Sequence, residues 1–132
     1  MPEGKVIALD LGTRKTGVAI TDPSRRVVFL REPLVHQNES DHLKNIQTLL
    51  SQEKPTTVVL GLSLMQGEET AQSKYSREIK RKIETFYSGA IVWIDESYSS
   101  FEAEEEIQGD LSHSQAARII LESFLHQTEQ GG

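Results

Sequence analysis

The stretch Val6-Ile7-Ala8-Leu9-Asp10-Leu11-Gly12-Thr13-Arg14-Lys15-Thr16-Gly17-Val18-Ala19-Ile20 constrains this chain more than any other. A short apolar run ends in an aspartate. A Gly-Thr turn with two basic residues follows, and a second apolar run leaves from Gly17. The pattern reads as a β-hairpin with a carboxylate at the mouth of its turn. Asp10 is then either a functional acid or the cap of an ordinary core hairpin. The choice depends on whether other acidic groups come to the same place.

The hairpin strands are read as residues 5–10 and 17–21. Asp22-Pro23-Ser24-Arg25 is a turn, because proline presets φ and aspartate bonds its own backbone. Residues 26–31 supply a third strand, so an antiparallel meander is expected. After a polar connection at 33–39, Ser40 is the expected N-cap of an amphipathic helix over 41–52, carrying Leu43, Ile46, Leu49 and Leu50. Pro55 ends it. Thr56-Thr57-Val58-Val59-Leu60 reads as a strand buried on both faces. Ala71, Tyr75, Ile79, Ile83 and Phe86 then form one stripe of a helix over about 70–87, whose other face carries Lys74, Arg77, Lys80, Arg81 and Lys82. Ala90 to Ile94 is a further buried strand, with Trp93 in the core, ending at Asp95-Glu96. A Ser-x-x-Glu capping box at Ser99 opens a short helix of about 99–107. A Ser-x-x-Gln box at Ser112 opens a last one of about 113–127, in which His113, Ala116, Ala117, Ile120, Leu121 and Phe124 share a face. Residues 128–132 are expected to be a flexible tail.

The order β-β-β-α-β-α-β-α-α implies an α/β fold: one mixed five-stranded sheet, three strands in a meander and two parallel, with helices on both faces. A single domain over 1–132 suits the length and can bury a core without staples. There is no cysteine, which excludes disulfides and thiolate metal sites. No apolar run reaches the roughly 20 residues of a membrane span, and no signal-peptide pattern opens the chain. A cytoplasmic protein is the expectation. The net charge of −6 argues against wholesale binding to a phosphate backbone. The charge is uneven, however: residues 1–31 carry six basic groups against three acids, and residues 95–110 carry seven acids and no base. His36, His42 and His126 stand singly, without ligand spacing.

Sites in such sheets form beyond the carboxyl ends of the parallel strands. Asp10 ends the first strand, Asp95 and Glu96 end the last, and His113 opens the closing helix. Successive side chains on a strand face opposite ways, so only one of Asp95 and Glu96 can join Asp10.

These residues, in this order, resemble the YqgF family, RuvC-like Holliday-junction resolvases also described as pre-16S rRNA nucleases, with an RNase H-like fold. Asp10-Leu11-Gly12-Thr13-Arg14-Lys15-x-Gly17-Val18-Ala19 resembles its opening Asp-x-Gly-x-Lys/Arg-x-Gly-Val-Ala stretch. Gly61-Leu62-Ser63-Leu64 resembles its Gly-Leu-Pro-Leu segment. Asp95-Glu96-Ser97-Tyr98-Ser99-Ser100-Phe101-Glu102-Ala103 resembles its Asp-Glu-Arg stretch, and Ala116 to Phe124 its closing helix.

The resemblance implies a metal-dependent endonuclease with paired Mg²⁺ or Mn²⁺ ions, acting on precursor 16S rRNA or a branched DNA junction. Asp10 would bridge the ions and Glu96 would be the second ligand, with Asp95 the alternative if the register slips by one. Thr13, Arg14 and Lys15 would hold the nucleic acid. The family's closing helix opens with an aspartate where His113 stands, which makes His113 either a metal ligand or a capping residue. Ser97 replaces a family arginine, Ser63 replaces a proline, and the loop before the last helix is short. These departures leave a second expectation, a relative with weakened catalysis that binds nucleic acid or protein. Asp-x-Gly-Thr also occurs in sugar kinases and actin-like ATPases, but the chain is short for their two lobes. A monomer or a homodimer fits equally.

Overall fold

The computed structural model describes residues 4–12, 14–62, 71–95 and 112–131. Five strands run in the order β3-β2-β1-β4-β5. They are β1 (Val6–Asp10), β2 (Lys15–Thr21), β3 (Val28–Val35), β4 (Thr57–Leu62) and β5 (Ala90–Asp95). β1, β2 and β3 form the expected antiparallel meander, and β4 and β5 add in parallel beyond β1. The helices are α1 (Glu39–Glu53), α2 (Ala71–Ile83) and α3 (Ser112–Gly131).

Strand alternation sorts the core into two layers. Ile7, Leu9, Val18, Ile20, Val58 and Leu60 pack against Ile46 and Leu50 of α1 and Ile79 and Ile83 of α2. Val6, Ala8, Ala19, Val59 and Ile94 pack against Ala117, Ile120, Leu121 and Phe124 of α3. β1 and β4, central in the sheet, are apolar on both faces for this reason.

The structure moves several expected boundaries. β3 starts two residues later than residue 26 and continues through Leu34 and Val35, taking in residues read as a polar connection. Its pairing with β2 shifts between Thr16↔Leu34 and Val18↔Arg31, so Glu32 and Pro33 together oppose Gly17. A bulge on an edge strand accommodates a proline, which has no N–H to give the ladder. The N-cap of α1 is Asn38, not Ser40; its side chain accepts from the backbone N of Asp41 at 2.9 Å, and Ser40 falls inside the first turn. His42, absent from the expected apolar stripe, is fully buried beside Ile46 and Leu50.

On α2 the buried line is Ser73, Ser76, Ile79 and Ile83, while Ala71 is exposed. Two small serines bring the first half of that helix close to its neighbours, and the apolar stripe takes over only in the second half. β5 is an edge strand rather than a buried one. Its Trp93 is half-buried, with the Arg77 guanidinium 5.7 Å from the ring centroid. α3 carries its apolar face as expected and continues to Gly131, past the residue 127 at which the helix was expected to stop. The short helix expected at 99–107 lies outside the described residues. Among the described residues, no helix is long and apolar enough to cross a membrane.

Candidate active site

The parallel register aligns Leu9 of β1 with Leu60 of β4, and Gly61 with Ile94 of β5. Asp10 therefore ends β1 level with Gly61, and β5 ends one residue further on at Asp95. Across the other ladder, Asp10 pairs with Gly17. Both strand neighbours of Asp10 are thus glycines, and no side chain at those positions crowds its carboxylate. Asp10 has the same parity as Val6 and Ala8, which places it on the α3 face. Lys15, two residues from Gly17 along β2, falls on the same face by the same alternation. Arg14 is exposed in the turn between β1 and β2.

The first turn of α3 is fastened beside this point. The Ser114 hydroxyl accepts from the backbone N of Val18 at 3.2 Å and donates to the carbonyl of Arg31. Val18 and Arg31 are register partners on β2 and β3, immediately past the bulge. One hydroxyl thus bridges the ladder where the bulge disturbs it. It also seats the helix start next to Gly17, the partner of Asp10. His113 precedes Ser114 in that turn, so the backbone of His113 is brought towards the end of β1. Sequence reasoning missed Ser114. The signal was a small hydroxyl residue between His113 and an apolar face, which is indistinguishable from capping chemistry until the helix is docked.

The turn itself is tightly built. A Cβ at Gly12 would lie 2.3 Å from the Lys15 carbonyl oxygen, so the chain folds back on itself there. Gln72 of α2 donates its side-chain N–H to the Leu11 carbonyl. His36 donates its backbone N–H to the Arg14 carbonyl at 3.0 Å, and its ring Nε2–H to the Gly12 carbonyl at 2.9 Å. His42 joins the Thr16 hydroxyl through Nε2 at 2.6 Å and the Tyr75 hydroxyl through Nδ1 at 2.7 Å. The two imidazoles stack with centroids 3.7 Å apart and planes 6° from parallel. They do not stand singly, as their spacing in sequence suggests. Burial, and next the neighbouring His36, push the His42 imidazole down to about 3. It is therefore uncharged at neutral pH and acts through hydrogen bonds.

Of the residues expected at the site, the structure brings Asp10, Arg14 and Lys15 to one end of the sheet, and places Asp95 and His113 there by backbone. Thr13 and Glu96 lie outside the described residues. Among the described residues, no three histidine or acidic side chains form a group able to hold a metal. Lys80 and Arg81, with Arg77, Glu84 and Trp93, line a groove of about 250 Å³. Trp93 packs on the α1 and α2 side of the sheet, opposite the face of Asp10.

Residues 4–127 match a family model described as RuvX, Holliday junction resolvase. A protein of Oleidesulfovibrio alaskensis named "Putative pre-16S rRNA nuclease" is 33% identical over 135 residues, covering 95% of this chain and 94% of its own. One of the same name from Maridesulfovibrio salexigens is 30% identical, covering 92% and 97%. Among solved structures, RuvC of T. thermophilus in complex with a Holliday junction superposes with a TM-score of 0.62 at 10% identity, covering 95% and 96%. The fowlpox virus Holliday junction resolvase superposes with 0.60 at 14%, covering 93% and 99%. At such identities the structures show the shared fold, and the mixed five-stranded sheet is the RuvC-like, RNase H-like one. The family model, which spans nearly the whole chain, and the close coverage of its relatives establish that this protein belongs to the RuvX (YqgF) family.

Proposed function

We propose that this chain is a divalent-metal-dependent endonuclease of structured nucleic acid, working in the cytoplasm. Its site lies at the carboxyl end of β1, and its substrate is precursor 16S rRNA or a branched DNA junction. The observation that carries this reading is Asp10 on the α3 face, with a glycine on each side and Lys15 on the same face. A carboxylate that merely capped its turn would gain nothing from two adjacent strand positions kept free of side chains. The names of the relatives and the family description support the choice of reaction.

The donor chemistry fits Mg²⁺ or Mn²⁺, which take carboxylate oxygens. Asp10 would hold the ions together with Glu96. Asp95 remains the alternative to Glu96, since only one of two successive strand residues can share a face with Asp10. His113 would supply a further ligand from the helix start, and the imidazole suits Mn²⁺ better than Mg²⁺. The chemistry such ions supply is activation of a water and neutralisation of charge on the leaving oxygen. The chain's own residues bind and orient: Arg14 and Lys15, with Thr13 between them and Gly12, hold phosphates so that the scissile bond faces Asp10.

A cleavage assay on both substrates with Mg²⁺, with Mn²⁺ and with chelator tests the reading. Metal-dependent cutting that Asp10→Asn lowers by at least about a hundredfold is expected. The presence of His113 where the family carries an aspartate favours a second reading, a weakened relative that binds without cutting. Binding in the absence of any cleavage, unaltered by Asp10→Asn, would select it, and His113→Asp would then restore activity.

A further inference from the structure

We propose that His36 and His42 are positioning residues for the substrate-facing β1–β2 turn, clamping it from the face opposite Asp10; this rests on the nuclease reading of that turn. Thr16 has the parity of Val18 and Ile20, so it belongs to the α1 and α2 side of the sheet, while Lys15 and Gly17 belong to the α3 side. The clamp therefore grips from behind and leaves the front to the nucleic acid.

The grip is continuous. His36 takes the carbonyls of Gly12 and Arg14, and His42 takes the hydroxyl of Thr16. These atoms bracket Arg14 and Lys15. The His42 ring stacks on His36 and meets the near-parallel ring of Tyr75 of α2 through the Nδ1–hydroxyl hydrogen bond, with those centroids 5.8 Å apart. The column thereby ties the turn to a helix that is itself fixed by the buried Ile79 and Ile83. Both imidazoles are buried, at 3% and 0% exposure, so neither reaches a phosphate directly.

Packing alone does not account for a histidine at position 36. Its Nδ1 is buried with no hydrogen-bond partner among the described residues, which is a cost. An apolar ring would fit the stack without that cost and would lose the bond to the Gly12 carbonyl. What the imidazole adds is a turn held in one conformation before substrate arrives, which lowers the ordering cost of binding.

The decisive comparison is His36→Phe, which keeps a ring in the stack and removes the donor, against His36→Gln, which keeps a donor at comparable reach. Amide hydrogen exchange over residues 12–17 is measured alongside the dissociation constant for a four-way junction in chelator, where cutting plays no part. The His36→Phe substitution is expected to speed exchange of the turn about tenfold while β4 and α3 stay protected, and to weaken binding about three- to tenfold. The His36→Gln protein is expected to keep both within about twofold of wild type. Unchanged exchange in His36→Phe, a loosened turn with unchanged affinity, or a His36→Gln protein as impaired as His36→Phe would each overturn the proposal. If the His36→Phe protein does not fold, Tyr75→Phe deletes one hydroxyl at the far end of the column and is expected to give the same changes at smaller size; no change there overturns it equally. A wild-type protein that binds neither the junction nor precursor rRNA would sink the nuclease reading by itself, and with it the substrate role, while the exchange data would still decide whether the clamp exists.

Discussion

His42 has a definite signature in solution. Its folded-state value of about 3 lies below the ordinary imidazole value of 6.5. As pH falls through about 6.5 the unfolded chain takes up a proton that the folded chain refuses, so the stabilisation is complete above that pH and is lost progressively below it. Denaturant titrations are expected to lose about 1–2 kcal/mol between about pH 7 and pH 5 from this group, and His42→Phe should flatten that slope. Ser114 is the second residue with a large expected effect. Its removal in Ser114→Ala leaves the Val18 N–H and the Arg31 carbonyl to find each other across a bulge, which is expected to cost about 1–3 kcal/mol by the same titration. Asp10 was legible in the sequence because a strand end and a turn are local. His36 and His42 were not, because the contact between them needs the end of β3, the start of α1 and the body of α2 in place together.

At the scale of elements, the turn between β1 and β2 is sensitive to a small change. Gly12→Ala puts a methyl against a backbone oxygen that cannot yield cheaply. The variant is expected to keep its fold, seen in an unchanged far-ultraviolet circular dichroism spectrum, but to lose about tenfold or more in cleavage, because a misplaced phosphate contact is costly. The strands and the β1–β2–β3 meander were readable from alternation and short connections; that β4 joins beside β1 and β5 beyond it was not. The limits of β3 were not: Pro33 reads as the end of a strand unless the bulge and the edge position are known. The first half of α2 misled for a related reason, since Ser73 and Ser76 are buried by close approach and not by hydrophobicity.

Across the whole molecule, a chain of net charge −6 would, on the proposed function, meet a polyanion through the few basic residues of the β1–β2 turn. Affinity should therefore fall with salt only as steeply as a few phosphate contacts require. The double variant Arg14→Ala/Lys15→Ala is expected to reduce the slope of log affinity against log salt by about 2, read from binding titrations at several salt concentrations. An unchanged slope would remove those two residues from the nucleic-acid contact.

The hydroxyl of Ser114 joins two strands near the start of the chain to a helix near its end, 96 residues away from Val18. Chain emerging from the ribosome can pair β1 with β2 early, yet the Val18 N–H and the Arg31 carbonyl gain their Ser114 partner only when the last helix arrives. On the proposed function, a chain whose synthesis stopped before residue 112 would lack the helix that borders the proposed site, and would be expected to cut nothing.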